Sequence, residues 1–401
     1  MRRGAWHQFG DRSQRLVLEQ LQGGVGIGAI ISARDLAMSN AADYAQQYRA
    51  LGAGVLIDHQ FYVPDFSNAK LASYPTNQFR DSISGLNQVN PQQLAGLAQA
   101  IDSIHTSIPA DGIIAPAAVY EAGRPDIVDL NARLFETAKA VGDARGLPTY
   151  ATVVLGRSAT SSDSTLAGML GCATALDAAG WYFSYEFSAG RLPSDYDEVY
   201  RCCGAALTLA CTGKPVLHAY AGPVGLLSLG CGCTGVGVGH SQNLWGFTRE
   251  RWEPPTNQGG GGGDAPPRFF STALWGTIVY PDEVVRLPSG LAAQVLTHSP
   301  YSSGSVTASG TLQWGRWDAN KHLVDRVCQT VGTIAANASP RQNAQAAATI
   351  LQQAVTLHGR IAGMGLALKD ETGAYQDAWL RAIRQVQSSR RSDYDYLDLI
   401  S

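Results

Sequence analysis

Seven times along the chain a short apolar run ends in polar residues and gives way to another kind of pattern. The runs lie at 24–32 (GVGIGAIIS), 52–62 (GAGVLIDHQFY), 111–120 (DGIIAPAAVY), 148–157 (PTYATVVLGR), 180–187 (GWYFSYEF), 214–222 (KPVLHAYAG) and 234–247 (TGVGVGHSQNLWGF). Most are followed by helical periodicity, at 35–51, 126–145, 163–179 and 195–212. Runs that are apolar at successive positions, rather than alternating, predict strands covered on both faces. Strands alternating with helices build a parallel sheet from βαβ units. Seven or eight such units favour a closed (β/α)8 TIM-type barrel over an open doubly wound sheet. An eighth strand is expected at 275–280 or 284–287, and residues 1–22 read as a polar entry segment. The barrel then spans 1–287, and a C-terminal helical extension, with helices at 319–338 and 340–388, spans 288–401.

Two segments break the repeat. The loop 64–97 is long and polar and carries Tyr74, Asn77, Arg80 and Asn87; a loop of that length in a barrel is functional or disordered. The stretch 254–267, with five glycines from Gly259 to Gly263, reads as a linker or mobile lid.

Composition changes this picture little. A net charge of −3 over 401 residues carries no global signature of a nucleic-acid binder. The local basic run Arg381, Arg384, Arg390 and Arg391 reads as a solvated helix face. Seven cysteines, an odd number, and an N-terminal stretch with no apolar leader point to reduced thiols in a cytoplasmic protein. No apolar run reaches membrane-spanning length, so no membrane association is expected. Cys231 and Cys233 lack a second pair at zinc-finger spacing, Cys202 and Cys203 read as packing, and no phosphate-loop or nucleophile-elbow motif occurs. Neither a metal nor a cofactor is expected.

Active sites of barrels sit at the C-terminal ends of the strands, and polar residues recur there. Asp58 follows Val55-Leu56-Ile57, so it needs a partner or a shifted pKa. Asp58, Glu186 and His240 are the catalytic candidates; His59, Gln60, Tyr62, Arg157, His218, Tyr220, Gln242 and Trp245 are the substrate-binding candidates. Plainer roles stand beside these. Asp35 reads as a helix cap, Arg157 as the partner of a carboxylate, His218 equally as a hydrogen-bonded core histidine, and Tyr182 as packing.

In its order of motifs the chain resembles the tRNA-guanine transglycosylase superfamily, including relatives that place deazaguanine bases in DNA. Asp58-His59-Gln60-Phe61-Tyr62 stands where that family has Asp-Ser-Gly-Gly-Phe-Gln, and Gly235–Gly239 with Trp245 to Arg249 resembles its nucleophile strand and loop. His298-Ser299-Pro300-Tyr301-Ser302 stands in place of the zinc cysteines, and the segment Trp317 to Leu323 resembles the helix whose His, here His322, binds that zinc. The seventh-strand nucleophilic Asp is replaced by the neighbourhood of His240 and Gln242, and no structural zinc is expected. The resemblance implies exchange or cleavage of an N-glycosidic bond, with Asp58 as general acid/base or base-recognition carboxylate and aromatic residues stacking a flipped base. The implied partners are DNA, RNA, a nucleobase or a nucleoside. Two other readings stand: a barrel enzyme on a small glycoside or nucleoside, using Asp58 and Glu186 as a carboxylate pair, and an inactive barrel acting as a binding or assembly subunit with a protein partner or a second copy.

Overall fold

The computed structural model describes every residue except 64, 81–88, 190, 253–265, 310–313, 338, 370–372 and 401. Asn87 and most of the 254–267 stretch, including its five glycines, lie outside the described residues.

Eight parallel strands form a nearly closed TIM-type barrel: β1 (Gly4–Gln8), β2 (Gly28–Ser32), β3 (Gly54–Asp58), β4 (Ile113–Ile114), β5 (Thr149–Leu155), β6 (Gly180–Tyr185), β7 (Val216–His218) and β8 (Gly235–Gly239). Their order is β3-β2-β1-β8-β7-β6-β5-β4. The seam between β3 and β4 is bridged by one residue. The Asp111 amide donates to Val55 O at 2.8 Å, and the Asp111 carboxylate accepts from Val55 N at 2.7 Å.

Two expectations are corrected here. The segment read as a polar entry contains β1, which pairs with both β2 and β8. Its polar residues misled the reading: His7 and Gln8 are buried, and His7 Nε2 lies 2.8 Å from Val25 O. With β1 counted, the barrel needs no strand after β8. The apolar run at 275–280 holds β10 (Gly276–Val279), which pairs antiparallel with β9 (Arg268–Ser271) in a separate hairpin. The other site expected for an eighth strand, 284–287, begins with a 3-10 turn at Val284–Arg286.

Helices α1 (Gln14–Gln22), α2 (Met38–Ala50), α3 (Pro91–Ser107), α4 (Pro125–Arg145), α5 (Asp163–Thr174), α6 (Tyr196–Ala210) and α7 (Gly225–Gly230) follow successive strands. Several start where the sequence supplies a cap: Asn90 and Gln93 form a reciprocal capping box on α3, and Ser162 and Asp195 cap α5 and α6. After α8 (Ser289–Val295), α9 (Arg316–Ala335) lies against β1 and β8, the place of an eighth barrel helix. The single helix expected over 340–388 is two, α10 (Pro340–Gly363) and α11 (Ala374–Ser389), and α12 (Arg391–Ile400) follows. Gly365 and Gly373, at φ 73° and 81°, bracket the break. Leu323, Leu351, Trp379 and Ile383 of these helices share one apolar cluster with Val153, Phe183 and Leu209 of the barrel. Among the described residues no helix is long and apolar enough to cross a membrane.

Trp6, Ile30, Leu56, Val154, Tyr182 and Leu217 belong to the cluster that fills the barrel. Trp6 spreads over the start of β2 and β3 because Gly28 and Gly54 leave room for it. A Cβ on Gly28 would fall 2.5 Å from the indole and 2.7 Å from Gly54 O. Gly28→Ala is therefore expected to cost about 1–3 kcal/mol by overpacking, read as a lower urea midpoint at unchanged slope. An unaltered midpoint would show that the indole has room to move.

Candidate functional site

Asp58, the last residue of β3, is 1% exposed and sits inside the mouth of the barrel. The chain turns sharply after it, and the turn is what supplies its partners. Gln60, held at φ 56°, donates its amide to Oδ1 at 3.0 Å and its side chain to Oδ2 at 3.2 Å. Tyr62 donates to Oδ1 at 2.8 Å. From across the barrel, Tyr182 of β6 and Tyr220 beyond β7 donate to Oδ2 at 2.9 and 3.2 Å. Tyr220 is also left-handed, at φ 54°, and its hydroxyl meets the Gln60 side chain. Left-handed backbone at two non-glycine residues stores strain that this network offsets. Burial pushes the Asp58 carboxyl upward, while the bonds from Tyr62, Tyr182 and Gln60 pull it back. Burial, with Asp58 beside them, lifts all three tyrosines well above the ordinary phenol value, so they remain donors.

The mouth over Asp58 is closed by the chain that follows β8. Tyr62 packs edge-on against Phe247 and Trp252, with ring centroids 5.2 and 5.5 Å apart, and Trp252 Nε1 donates to Gln60 at 3.3 Å. Residues 245–252 thus provide cover for the carboxylate. The 64–97 loop braces the turn from outside: the buried Arg80 donates to Gln60 O and Val63 O at 2.6 and 2.7 Å.

Ion pairs latch this cover. Arg249 reaches Glu186 at 2.8 Å and also pairs with Glu121, and Arg251 pairs with Asp35, which Arg34 holds from its other side at 2.8 Å. Glu186 is 1% exposed and accepts the backbone amides of Arg157 and Arg249 at 3.3 and 3.2 Å. Arg157 pairs with Glu250 at 3.0 Å. Asp58 and Glu186 thus have separate partner sets among the described residues. Asp35 is not a cap: α2 begins after Ala37, and the carboxylate instead takes Ser32 Oγ at 2.6 Å.

The histidines do not gather at one mouth. His218 points out of the barrel, because Leu217 beside it points in; its Nδ1 lies 2.5 Å from Ser228 on α7, and burial lowers its pKa to about 3. His59 also points outward, against His105 of α3 at a centroid distance of 6.1 Å. Burial lowers these two to about 3 and about 4, and none of their four ring nitrogens has a hydrogen-bond partner. His322 lies between Ser299 Oγ and Phe270 O, each at 2.8 Å, so both its nitrogens are engaged. Among the described residues no group of three potential metal ligands occurs.

His240, at the end of β8, is the catalytic candidate that borders open space. It lies between two lobes of a cleft, of about 180 and 550 Å³, and Arg191, Ser241 and Asn243 also line both. Arg268 and Arg316 add to the smaller lobe, together with Gln242 and Trp245. Arg191 is bonded to the side-chain oxygens of Gln242 and Asn243, and no ion-pair partner of Arg316 occurs among the described residues. Trp245 Nε1 and His240 Nδ1 are buried and without a hydrogen-bond partner. Burial, with Arg251 and then Arg316 nearby, lowers the His240 pKa to about 4. Arg191, Arg268 and Arg316 escaped the sequence reading because they come from three segments far apart in the chain. The run Arg381 to Arg391 plays no part: Arg381 pairs with Asp377, Arg390 with Asp393, and Arg384 with Gln352.

No family model and no curated protein matches the chain. Among solved structures it is similar to a glycerol uptake operon antiterminator-related protein from Thermotoga maritima, at 11% identity over 61% of this chain and 99% of that one, with a TM-score of 0.29. A likeness of this degree speaks to neither ligand nor activity, and both are argued from the side chains of the cleft.

Proposed function

We propose that the chain binds a phosphate-bearing ligand in the cleft at the β8 side of the mouth. One observation carries this reading: Arg191 and Arg316 converge on a lobe with no carboxylate among its described lining residues, and buried donors in its wall lack acceptors. An anion supplies those acceptors, and guanidinium groups match phosphate oxygens two at a time. The ends of strands 7 and 8 are also where barrels commonly hold phosphate. His240 is the group placed to exchange a proton with such a ligand.

A ligand that binds only the native state stabilises it by about 2.7 kcal/mol at a hundred times its Kd. Phosphate at millimolar concentration is expected to raise the thermal midpoint by several degrees at constant ionic strength. Arg191→Met with Arg316→Met is expected to abolish the rise. An equal rise in that variant places the anion elsewhere and sinks the reading.

The base-exchange reading keeps one supporting feature, the carboxylate of Asp58 in the barrel mouth beneath a cluster of aromatic rings. It requires Phe247 and Trp252 to leave so that a base can enter. Its test is the nucleoside composition of cells with and without the protein, with Asp58→Ala as control.

A further inference from the structure

We infer that the ligand is a phosphorylated sugar or polyol, with its phosphate in the smaller lobe and its hydroxyl groups in the larger one. This deepens the cleft reading above and rests on it. The two lobes differ in kind. The smaller presents arginines and amides. The larger sets Arg34 and Arg251 against Asp35 and Glu250, so its charges balance, and it adds the hydroxyl and amide groups of Ser241, Asn243 and Thr248. A wall of mixed donors and acceptors suits hydroxyl groups, which both give and accept hydrogen bonds. Two donors in that wall are still unfilled: Arg251 Nη1 and Arg34 Nε are buried without partners, on side chains that are 10% and 22% exposed. No Phe, Tyr or Trp ring occurs among the described residues lining the larger lobe, and the one aromatic ring among them is the imidazole of His240. A nucleobase would find no broad aromatic platform there of the kind that holds stacked bases. Because His240, Arg191, Ser241 and Asn243 border both lobes, one molecule can span them.

The same chemistry comes from a free sugar phosphate or from the ribose phosphate of a nucleotide, and titration calorimetry on the full chain separates them. Ribose 5-phosphate, inorganic phosphate, ribose and AMP are titrated at one pH and ionic strength. Ribose 5-phosphate is expected to bind about tenfold or more tighter than phosphate, a difference of about 1.4 kcal/mol, and AMP no tighter than ribose 5-phosphate. Thr248→Val is expected to weaken ribose 5-phosphate about threefold to tenfold and to leave phosphate within about twofold, since a lost neutral hydrogen bond is worth about 0.5–1.5 kcal/mol. Arg316→Met weakens both. Equal affinity for phosphate and ribose 5-phosphate overturns the inference and leaves the anion site standing. AMP binding tenfold tighter than ribose 5-phosphate also overturns it, in favour of base recognition. No binding by any of the four, or binding indifferent to Arg316→Met, overturns the cleft reading itself.

Discussion

Between pH 7 and pH 5 the chain is expected to lose on the order of 10 kcal/mol of folding stability, enough to unfold a domain of ordinary stability. The cause is histidine burial. His7, His105 and His240 have pKa values lowered to about 4, and His59, His218 and His322 to about 3, with burial the largest cause in each. The unfolded chain protonates all six near pH 6.5. Below that pH it binds more protons than the native state, so stability present above pH 6.5 is lost as pH falls toward 4. Each group contributes up to about 1.4 kcal/mol per pH unit across that window. Asp58 acts the other way, because its carboxyl is raised, but it is one group against six. Urea unfolding at pH 7, 6 and 5 measures the slope. A loss below about 2 kcal/mol would mean that these rings accept protons in the native state. His59→Leu with His105→Leu removes four unpartnered nitrogens, and it is expected to hold or raise stability at pH 7 and to lower the acid midpoint.

The β2 to β8 strands were legible because parallel strands covered on both faces read as apolar runs without alternation. β1 was not, since a five-residue strand with His7 and Gln8 looks polar until Val25 O is seen to satisfy the imidazole. The run at 275–280 has real strand propensity, but only the pairing of Ile278 with Phe269 assigns it to a hairpin. At the mouth, the sequence marked Asp58 as a buried carboxylate in need of partners, and Gln60 and Tyr62 stood beside it. Tyr182 and Tyr220, more than a hundred residues away in the chain, join it only through the barrel. The two-residue period of a strand already puts His218 on the face opposite Leu217. The Arg249-Glu250-Arg251-Trp252 run after β8 was the unused signal for the cover, because three charges beside a tryptophan need counter-charges from several strands.

Asp58→Ala is expected to destabilise the fold by about 3–5 kcal/mol and to leave phosphate binding in the cleft within about twofold. The carboxylate accepts from three tyrosine hydroxyls and from Gln60 in a space without solvent access. Removing it strands those donors, each at a desolvation cost of about 1–3 kcal/mol that local rearrangement only partly recovers. Relief of the buried charge and of the left-handed turn at Gln60 offsets some of the loss. Asp58→Asn keeps the shape and one acceptor oxygen, so it should fall between the variant and the wild type. The base-exchange reading expects the opposite pattern, because residues kept for chemistry are usually held at a cost to stability. Under it, Asp58→Ala leaves the urea midpoint unchanged or raised and removes all activity on nucleosides. Unfolding curves for the three proteins, set beside phosphate titrations of each, therefore decide whether this carboxylate ties the mouth together or works on a ligand.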